Sequence, residues 1–279
     1  MNDAIIDRLT NALRPVGGLV ALVLGGSRAR GTAAPDSDYD LGLYYEADAP
    51  LDIGQLAAAV ASVVDDPETA RVTSPGEWGP WINGGGWLTV AGQRVDLLYR
   101  DLTRVRAVVA DCTAGRISMD YQPGHPHGFC SAIWMGEIAL CRPILDPEGM
   151  VADLKARTSP FPPALRAALI ARFHWEVAFS IEIAEKAIAR GDQTYVAGCA
   201  YRALCCIAQV LFALNGRYLI NEKGALAEAE TFPVTIPEAG RTAGLVWAEI
   251  GAAEYRSALQ RLRVLARSLD DAVLQAKAS

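Results

Sequence analysis

Three aspartates and a glycine-bearing turn are the residues of this sequence whose types and spacing could do chemistry. Asp38 and Asp40 sit two apart in Asp36-Ser37-Asp38-Tyr39-Asp40 and run directly into Leu41-Gly42-Leu43. Side chains alternate along a strand, so both carboxylates project from one face. Oxygen donors grouped in that way suit a hard divalent cation. Ahead of them, Gly25-Gly26-Ser27 closes the apolar run Leu19 to Leu24, the pattern of a buried strand feeding a tight turn, and such a turn suits a phosphate. The third carboxylate, Asp96, is embedded in Val95-Asp96-Leu97-Leu98-Tyr99. It needs a cation or an arginine beside it, because an uncompensated buried charge is costly. A solvated turn capped by Asp36 or Ser37 would use the same residue types. Asp40, however, lies within the strand pattern, and Asp36 is assigned to the turn.

The elements that must position these groups follow from hydrophobic periodicity. Asp3 to Leu13 has the spacing of an amphipathic helix and is ended by Pro15 and Gly17-Gly18. The strand Leu19 to Leu24, a polar loop and the strand Tyr39 to Tyr45 come next. Leu51 to Val64 reads as a helix lying across the sheet. A loop carrying Trp78, Trp81, Gly84-Gly85-Gly86 and Trp87 precedes two strands, Trp87 to Val90 and Val95 to Tyr99, joined by a turn centred on Gly92. Trp residues of this loop could stack on a base or sugar ring, or serve core and edge packing. Asp101 to Ala110 and Ser131 to Leu140 read as helices, with an irregular stretch between them that holds His125 and His127. The proline-dense Ser159-Pro160-Phe161-Pro162-Pro163 marks a domain boundary, dividing the chain into residues 1–158 and 159–279. Beyond it, Ala164 to Arg190, Gln193 to Asn215 and Arg241 to Lys277 have helical periodicity and no strand pattern. The expected architecture is an α/β (α+β) domain with a short mixed sheet, followed by an all-α helical bundle.

Composition bounds the partners. With 279 residues, 51% of them hydrophobic, the chain can form two compact domains with cores of their own. A net charge of −6 gives no basic footprint for nucleic acid and favours small or cationic partners. No uninterrupted apolar run reaches the roughly 18 residues of a membrane span, and Met1-Asn2-Asp3-Ala4 lacks the basic start of a signal peptide, so a cytoplasmic location is expected. The six cysteines form no Cys-x-x-Cys pair and no cluster with histidine, which leaves buried thiols as their expected state. His125 and His127 have no third metal ligand at a suitable spacing. Glu137, Glu176, Glu182 and Glu185 are alternative general bases, although helical glutamates are commonly solvated or ion-paired.

Gly26-Ser27, ten intervening residues, Asp38-Tyr39-Asp40 and the later Asp96 together resemble the signature of the nucleotidyltransferase superfamily that includes DNA polymerase beta. Within it, residues 15–100 are similar to the minimal bacterial branch that contains the aminoglycoside nucleotidyltransferases. The resemblance implies that Asp38 and Asp40 hold Mg²⁺, two ions in all, against the triphosphate of ATP or another nucleoside triphosphate. It implies that Gly26 and Ser27 contact the outer phosphates, and that Asp96 completes the metal site or deprotonates the acceptor. Arg28, in the same loop, is a further candidate phosphate contact. A second, shorter resemblance joins Tyr201-Arg202-Ala203-Leu204 and Asn221-Glu222-Lys223-Gly224 to the streptomycin/spectinomycin adenylyltransferases, and implies phosphate contacts from Arg202 and Lys223. For Arg202 a salt bridge within the bundle is the alternative. One departure matters: the third carboxylate of that branch is a glutamate base, whereas Asp96 is shorter, which favours metal ligation.

The implied activity is Mg²⁺-dependent transfer of a nucleoside monophosphate, AMP from ATP, to a hydroxyl of a small acceptor, with release of pyrophosphate. The acceptor would bind in a cleft between the two domains, and an acidic cleft favours a cationic acceptor such as an aminoglycoside. Two other functions use the same motif: an antitoxin-type adenylylation of a partner protein, and nucleotide sensing without catalysis. Neither a membrane nor a nucleic acid is expected as partner.

Overall fold

The computed structural model describes residues 4–278; Asp3, the expected start of the first helix, lies outside them. The chain forms two compact units, Met1–Asp111 with Trp134–Pro160, and Cys112–Ile133 with Phe161–Ser279.

In the first unit, Ala4–Leu13 (α1) buries Ile6, Leu9 and Leu13, the residues its spacing puts on one side. Ala21–Leu24 (β1) leads into a one-turn helix, Gly26–Arg30 (α2), and then Tyr39–Tyr45 (β2). Ile53–Ala61 (α3) starts at Asp52, whose carboxylate accepts the Gln55 N–H at 2.9 Å. Gly79–Ile82 (α4) interrupts the tryptophan loop. Gly85–Val90 (β3) and Gln93–Asp101 (β4) form a hairpin whose turn places Ala91 and Gly92 at φ 51° and 72°. Asp65 pins this turn by accepting both N–H groups at 2.7 Å, and those two bonds hold its carboxyl below the usual carboxylate range. Leu102–Thr113 (α5) leads out of this unit to a two-residue ladder that belongs to the second, Met119–Asp120 (β5) with Phe129–Cys130 (β6). Ala132–Leu140 (α6), Arg142–Leu145 (β7) and Met150–Ala156 (α7) follow.

The five-stranded sheet runs β3-β4-β2-β1-β7; only β2 and β4 are parallel. One face, carrying Leu22, Leu24, Tyr39, Leu41, Leu43, Val95, Leu97, Tyr99 and Leu88, packs with α1 and α3 into the core. On the other face the far ends of β2 and β4 are closed by α6. There Arg100, 2% exposed, donates Nε and Nη2 to the two oxygens of Glu137 at 2.8 and 2.9 Å and Nη1 to the Tyr99 carbonyl at 2.9 Å. Glu137, a candidate base on sequence grounds, is therefore the counter-ion of a buried arginine. Burial also pushes the neighbouring Tyr44 phenol up.

The second unit is mostly helical: Pro163–Ile188 (α8), Gln193–Leu214 (α9), Ala225–Ala229 (α10), Ala239–Gly251 (α11) and Tyr255–Ala278 (α12). The single helix expected over Arg241 to Lys277 is broken in two, because Ala253 takes φ 60° and the Glu254 N–H turns back to the Glu249 carbonyl at 2.8 Å. α9 is long and apolar enough to match a membrane span by length and composition, and 78% of that window is buried inside the protein. Residues 112–133, expected in the first domain, cluster with this helical unit. Gly115 approaches Ala164 so closely that a Cβ would lie 2.9 Å from its carbonyl oxygen, and the His127 ring packs 5.7 Å from that of Phe173. All six cysteines are buried thiols, and burial pushes Cys130 up to about 12.

His127 is 3% exposed, and neither ring nitrogen has a hydrogen-bond partner. Burial, reinforced by Arg202 and Arg172 and opposed by Glu176, lowers its pKa from 6.5 to about 4.

Two outcomes follow from these buried groups. Glu137→Ala leaves the Arg100 charge uncompensated and is expected to cost about 3–5 kcal/mol in urea unfolding, whereas Arg100→Met with Glu137→Leu costs far less. An equal loss in single and double variants would contradict a net penalty from the unpaired charge. His127 is neutral when folded, so its contribution is complete above pH 6.5 and is lost as pH falls from 6.5 through 4. The loss is on the order of 3 kcal/mol and should be missing from the same titration of His127→Phe.

Candidate active site

The sheet register assembles the site. Asp40 on β2 lies opposite Asp96 on β4, and Asp96 in turn lies opposite Trp87 on β3. Directly opposed residues share a face, so these three form a row on the face that α6 covers only at its other end. Asp38 lies just ahead of β2, where its carboxylate meets Arg94 of β4. At the β1 side of the row, the Gly25 N–H donates to the Asp40 carbonyl at 2.7 Å. Gly26, at φ 59°, is so close that a Cβ there would fall 1.8 Å from the Asp40 carboxylate. Only glycine fits this contact, because any side chain would displace the carboxylate and would also strain the backbone.

The ten-residue spacer has more structure than the loop expected from its composition. α2 occupies its first half and ends at Gly31 in a left-handed conformation, φ 73°. The rest is a turn in which Ser37 Oγ accepts the Ala34 N–H at 2.9 Å. Arg28, expected at a phosphate, is turned onto this segment instead: Nε and Nη2 donate to the Ser37 carbonyl at 3.1 and 2.6 Å, and the guanidinium lies 3.8 Å from the centre of the Tyr39 ring. It braces the approach to Asp38. Ser27 stays half-buried at the start of α2, and its carbonyl accepts the Thr32 N–H at 3.0 Å.

Arg94 is a site residue that sequence reasoning missed. Its Nε is 2.6 Å from Asp38 Oδ1, with the two side chains 71% and 35% exposed. The signal was present, since Arg94 is two residues from Asp96 and must share its strand face. Through this pair β4 brings an arginine to Asp38.

Among the described residues no three His, Cys, Asp or Glu side chains converge on one point. The donors that the row offers are the side-chain oxygens of Asp38, Asp40 and Asp96. They are carboxylate oxygens, the class that Mg²⁺ takes. Asp40 and Asp96 stand directly opposite each other in the register of β2 and β4, which brings two carboxylates together on one face. Asp38 Oδ1 is buried without a hydrogen bond at its contact with Arg94, and this ion pair to a largely exposed arginine is worth about 0–1 kcal/mol.

The remaining expected contacts lie in the helical unit. Arg202 is ion-paired with Glu176, which is 5% exposed and also accepts from Arg172 at 3.3 Å; Arg202 Nη1 further donates to the His127 carbonyl at 3.4 Å. The alternative of a bundle salt bridge is the observed state. Arg202 also lines an open groove of about 480 Å³ between α8 and α9, with Ser180, Ile183, Tyr195, Gly198 and Cys199. Lys223 is exposed, in a turn where its backbone N–H donates to Asn221 Oδ1 at 2.8 Å. Glu185 pairs with Arg263 and Glu182 is exposed, so neither stands as a buried base.

The tryptophans divide their roles. Trp81 is buried edge-on against Trp134, with ring centres 5.0 Å apart. Trp78 stacks on Trp87 at 4.5 Å and 20°, yet Trp87 remains 70% exposed.

Residues 6–73 match the family model of the nucleotidyltransferase domain, and residues 137–223 match a domain of unknown function, DUF4037. The first match contains Gly26, Ser27, Asp38 and Asp40; the second contains Arg202 and Lys223. No curated protein matches the sequence. Among solved structures, a nucleotidyltransferase-like protein from Exiguobacterium sibiricum is similar at 13% identity and a TM-score of 0.40, over 92% of this chain and 71% of that one.

A cation that took Asp38 Oδ1 as a ligand would compete with the Arg94 guanidinium, so Arg94→Gln is expected to tighten Mg²⁺ binding up to about fivefold, the equivalent of the ion pair. Calorimetric titration without nucleotide measures this, and weaker Mg²⁺ binding in the variant would mean that Arg94 supports the site instead of competing for it.

Proposed function

We propose, from the premise that residues 6–73 are a nucleotidyltransferase domain, that the protein transfers a nucleoside monophosphate, AMP from ATP, to a hydroxyl of a small acceptor. The observation that carries this reading is the register of Asp40 against Asp96, with Gly26 packed on the Asp40 carboxylate and Asp38 on the same open face.

In the proposed reaction the acceptor oxygen bonds to the α-phosphorus while the bond from that phosphorus to the bridging oxygen breaks. Pyrophosphate leaves with the electron pair, and the hydroxyl proton passes to a carboxylate or to solvent. Negative charge on the entering, non-bridging and leaving oxygens must be offset for this to proceed. Asp38, Asp40 and Asp96 would hold Mg²⁺, which when bound supplies that offset. The backbone at Gly26 and Ser27 would receive the outer phosphates. Arg28 keeps the Pro35–Ser37 segment in place so that Asp38 enters β2 with its carboxylate on the site face. Asp96, one methylene shorter than glutamate, is assigned to the metal and not to direct proton abstraction. An acidic site of this kind, in a chain of net charge −6, favours a cationic or neutral acceptor over an anionic one.

The test is pyrophosphate release from ATP with Mg²⁺ over a panel of hydroxylated acceptors. Asp38→Ala and Asp96→Asn are each expected to reduce turnover about hundredfold or more, the scale of losing one group that stabilises transition-state charge, while circular dichroism stays unchanged. Undiminished turnover in Asp38→Ala would remove the metal assignment. ATP binding with no pyrophosphate release across the panel would favour a nucleotide sensor.

A further inference from the structure

The helix α11 is apolar on every side. Of its 13 residues, Arg241, Thr242 and Glu249 are the polar ones. Glu249 turns toward α12, where its Oε1 is 2.7 Å from Arg261 Nε, and Thr242 is half-buried. One side of the helix packs Ala239, Ala243, Val246 and Ile250 into the unit. The other side presents Gly244, Leu245, Trp247, Ala248 and Gly251 to solvent, together with Arg241. A surface helix ordinarily keeps a polar outer face, and a helix that is apolar all round is one that is buried all round. The outer face of α11 is thus that of a covered helix, yet it is exposed.

The glycines point the same way. Glycine in a helix interior destabilises it relative to alanine. Gly240 has a reason within its own chain, since its N–H donates to Glu230 Oε1 at 2.6 Å and a Cβ there would lie 3.2 Å from that oxygen. At Gly244 and Gly251 a Cβ would meet nothing within 4 Å. Alanine would fit both positions and strengthen the helix. Glycine there suits a backbone that approaches closely from outside the chain.

The face also matches itself. Two copies of α11 laid antiparallel about a two-fold axis between Trp247 and Ala248 set Gly244 against the partner's Gly251, and Trp247 against the partner's Ala248. Arg241, near one end, then meets the partner's Glu254, an exposed carboxylate just past the other end. Small residues face small ones, the indole faces a methyl group, and opposite charges meet. Arg241 is otherwise paired with Glu238 at 3.0 Å, an exposed contact that is readily exchanged. Such self-complementarity is what an isologous interface requires.

We infer that the outer face of α11 is the contact surface of a homodimer, in which the helices of two copies pack antiparallel across Gly244 and Gly251. A helix of this length spans about 20 Å. A contact one helix wide falls below the roughly 1,200 Å² of standard interfaces, so the dimer is a weak, concentration-dependent one.

Sedimentation velocity on the full-length protein over a micromolar concentration series tests this. Wild type is expected to pass from monomer to dimer along the series. Gly244→Gln fills the space that the partner's backbone needs and should weaken the dimer about tenfold or more. The same substitution should raise the melting temperature of the dilute monomer, because glutamine is the better helix former. Arg241→Glu and Glu254→Arg should each weaken the dimer, and the double reversal should restore it. A wild type that stays monomeric throughout would leave the face to a different chain and overturn the homodimer. A dimer that survives Gly244→Gln, or a double reversal no tighter than either single variant, would overturn it too. A melting temperature lowered by Gly244→Gln would place the reason for this glycine inside the chain, with the same result.

Discussion

The parallel pairing of β2 with β4 is the constraint on which the site depends. These strands are the sheet's parallel pair, with Asp40 opposite Asp96 and Leu41 opposite Leu97. The alternation that buries Val95, Leu97 and Tyr99 against α1 and α3 forces Asp96 and Arg94 to the other face. A slip of one residue would send Asp96 into the core and Leu97 into the site, so the hydrophobic pattern of β4 fixes the chemistry of the opposite face. Asp40 and Asp96 need no local device to stay aligned. Their position is enforced by the burial of their neighbours.

The face they occupy carries charge at both ends, with Gly42 and Leu98 between, and the two ends behave differently. At the Arg100 end α6 supplies Glu137 and Trp134, and the charge is buried, paired and inert. A buried pair of this kind adds little net stability, because removing two ions from water offsets much of their attraction. What it does is fix where α6 can sit, since any other placement leaves the arginine unpaired. The end bearing Asp38, Asp40 and Asp96 thereby lies beyond the reach of α6.

Much of this was legible in the sequence because it is local. The strands on either side of the spacer, the turn at Gly92 and the shared orientation of Asp38 and Asp40 all follow from period-two alternation and glycine placement. Gly26 is legible as a turn residue, but its contact with Asp40 is not, since that depends on β1 lying beside β2. The fates of the arginines were hidden for the same reason. Arg28, Arg94, Arg100 and Arg202 are alike in type, and composition cannot say that the first braces a loop, the second pairs with Asp38, the third is buried against α6 and the fourth is paired with Glu176. Residues 112–133 join the helical unit through contacts with Ala164 and Phe173, distant in sequence, whereas the proline-dense stretch at 159–163 advertises its boundary locally.

The sheet also constrains the proposed reaction more than its individual residues do. Phosphate-binding turns and carboxylate pairs occur in many kinds of site, and neither says which way a substrate lies. Here the turn is rigidly attached to β1 and the exposed indole to β3, with two carboxylate-bearing strands between them. Hydrogen-bonded strands cannot change order without unfolding the sheet, so the polarity from turn to indole is as permanent as the fold. A nucleotide held at the turn by its outer phosphates, as proposed, would be oriented before any acceptor arrived. That orientation supplies the alignment which an in-line displacement would otherwise have to gain at the cost of entropy.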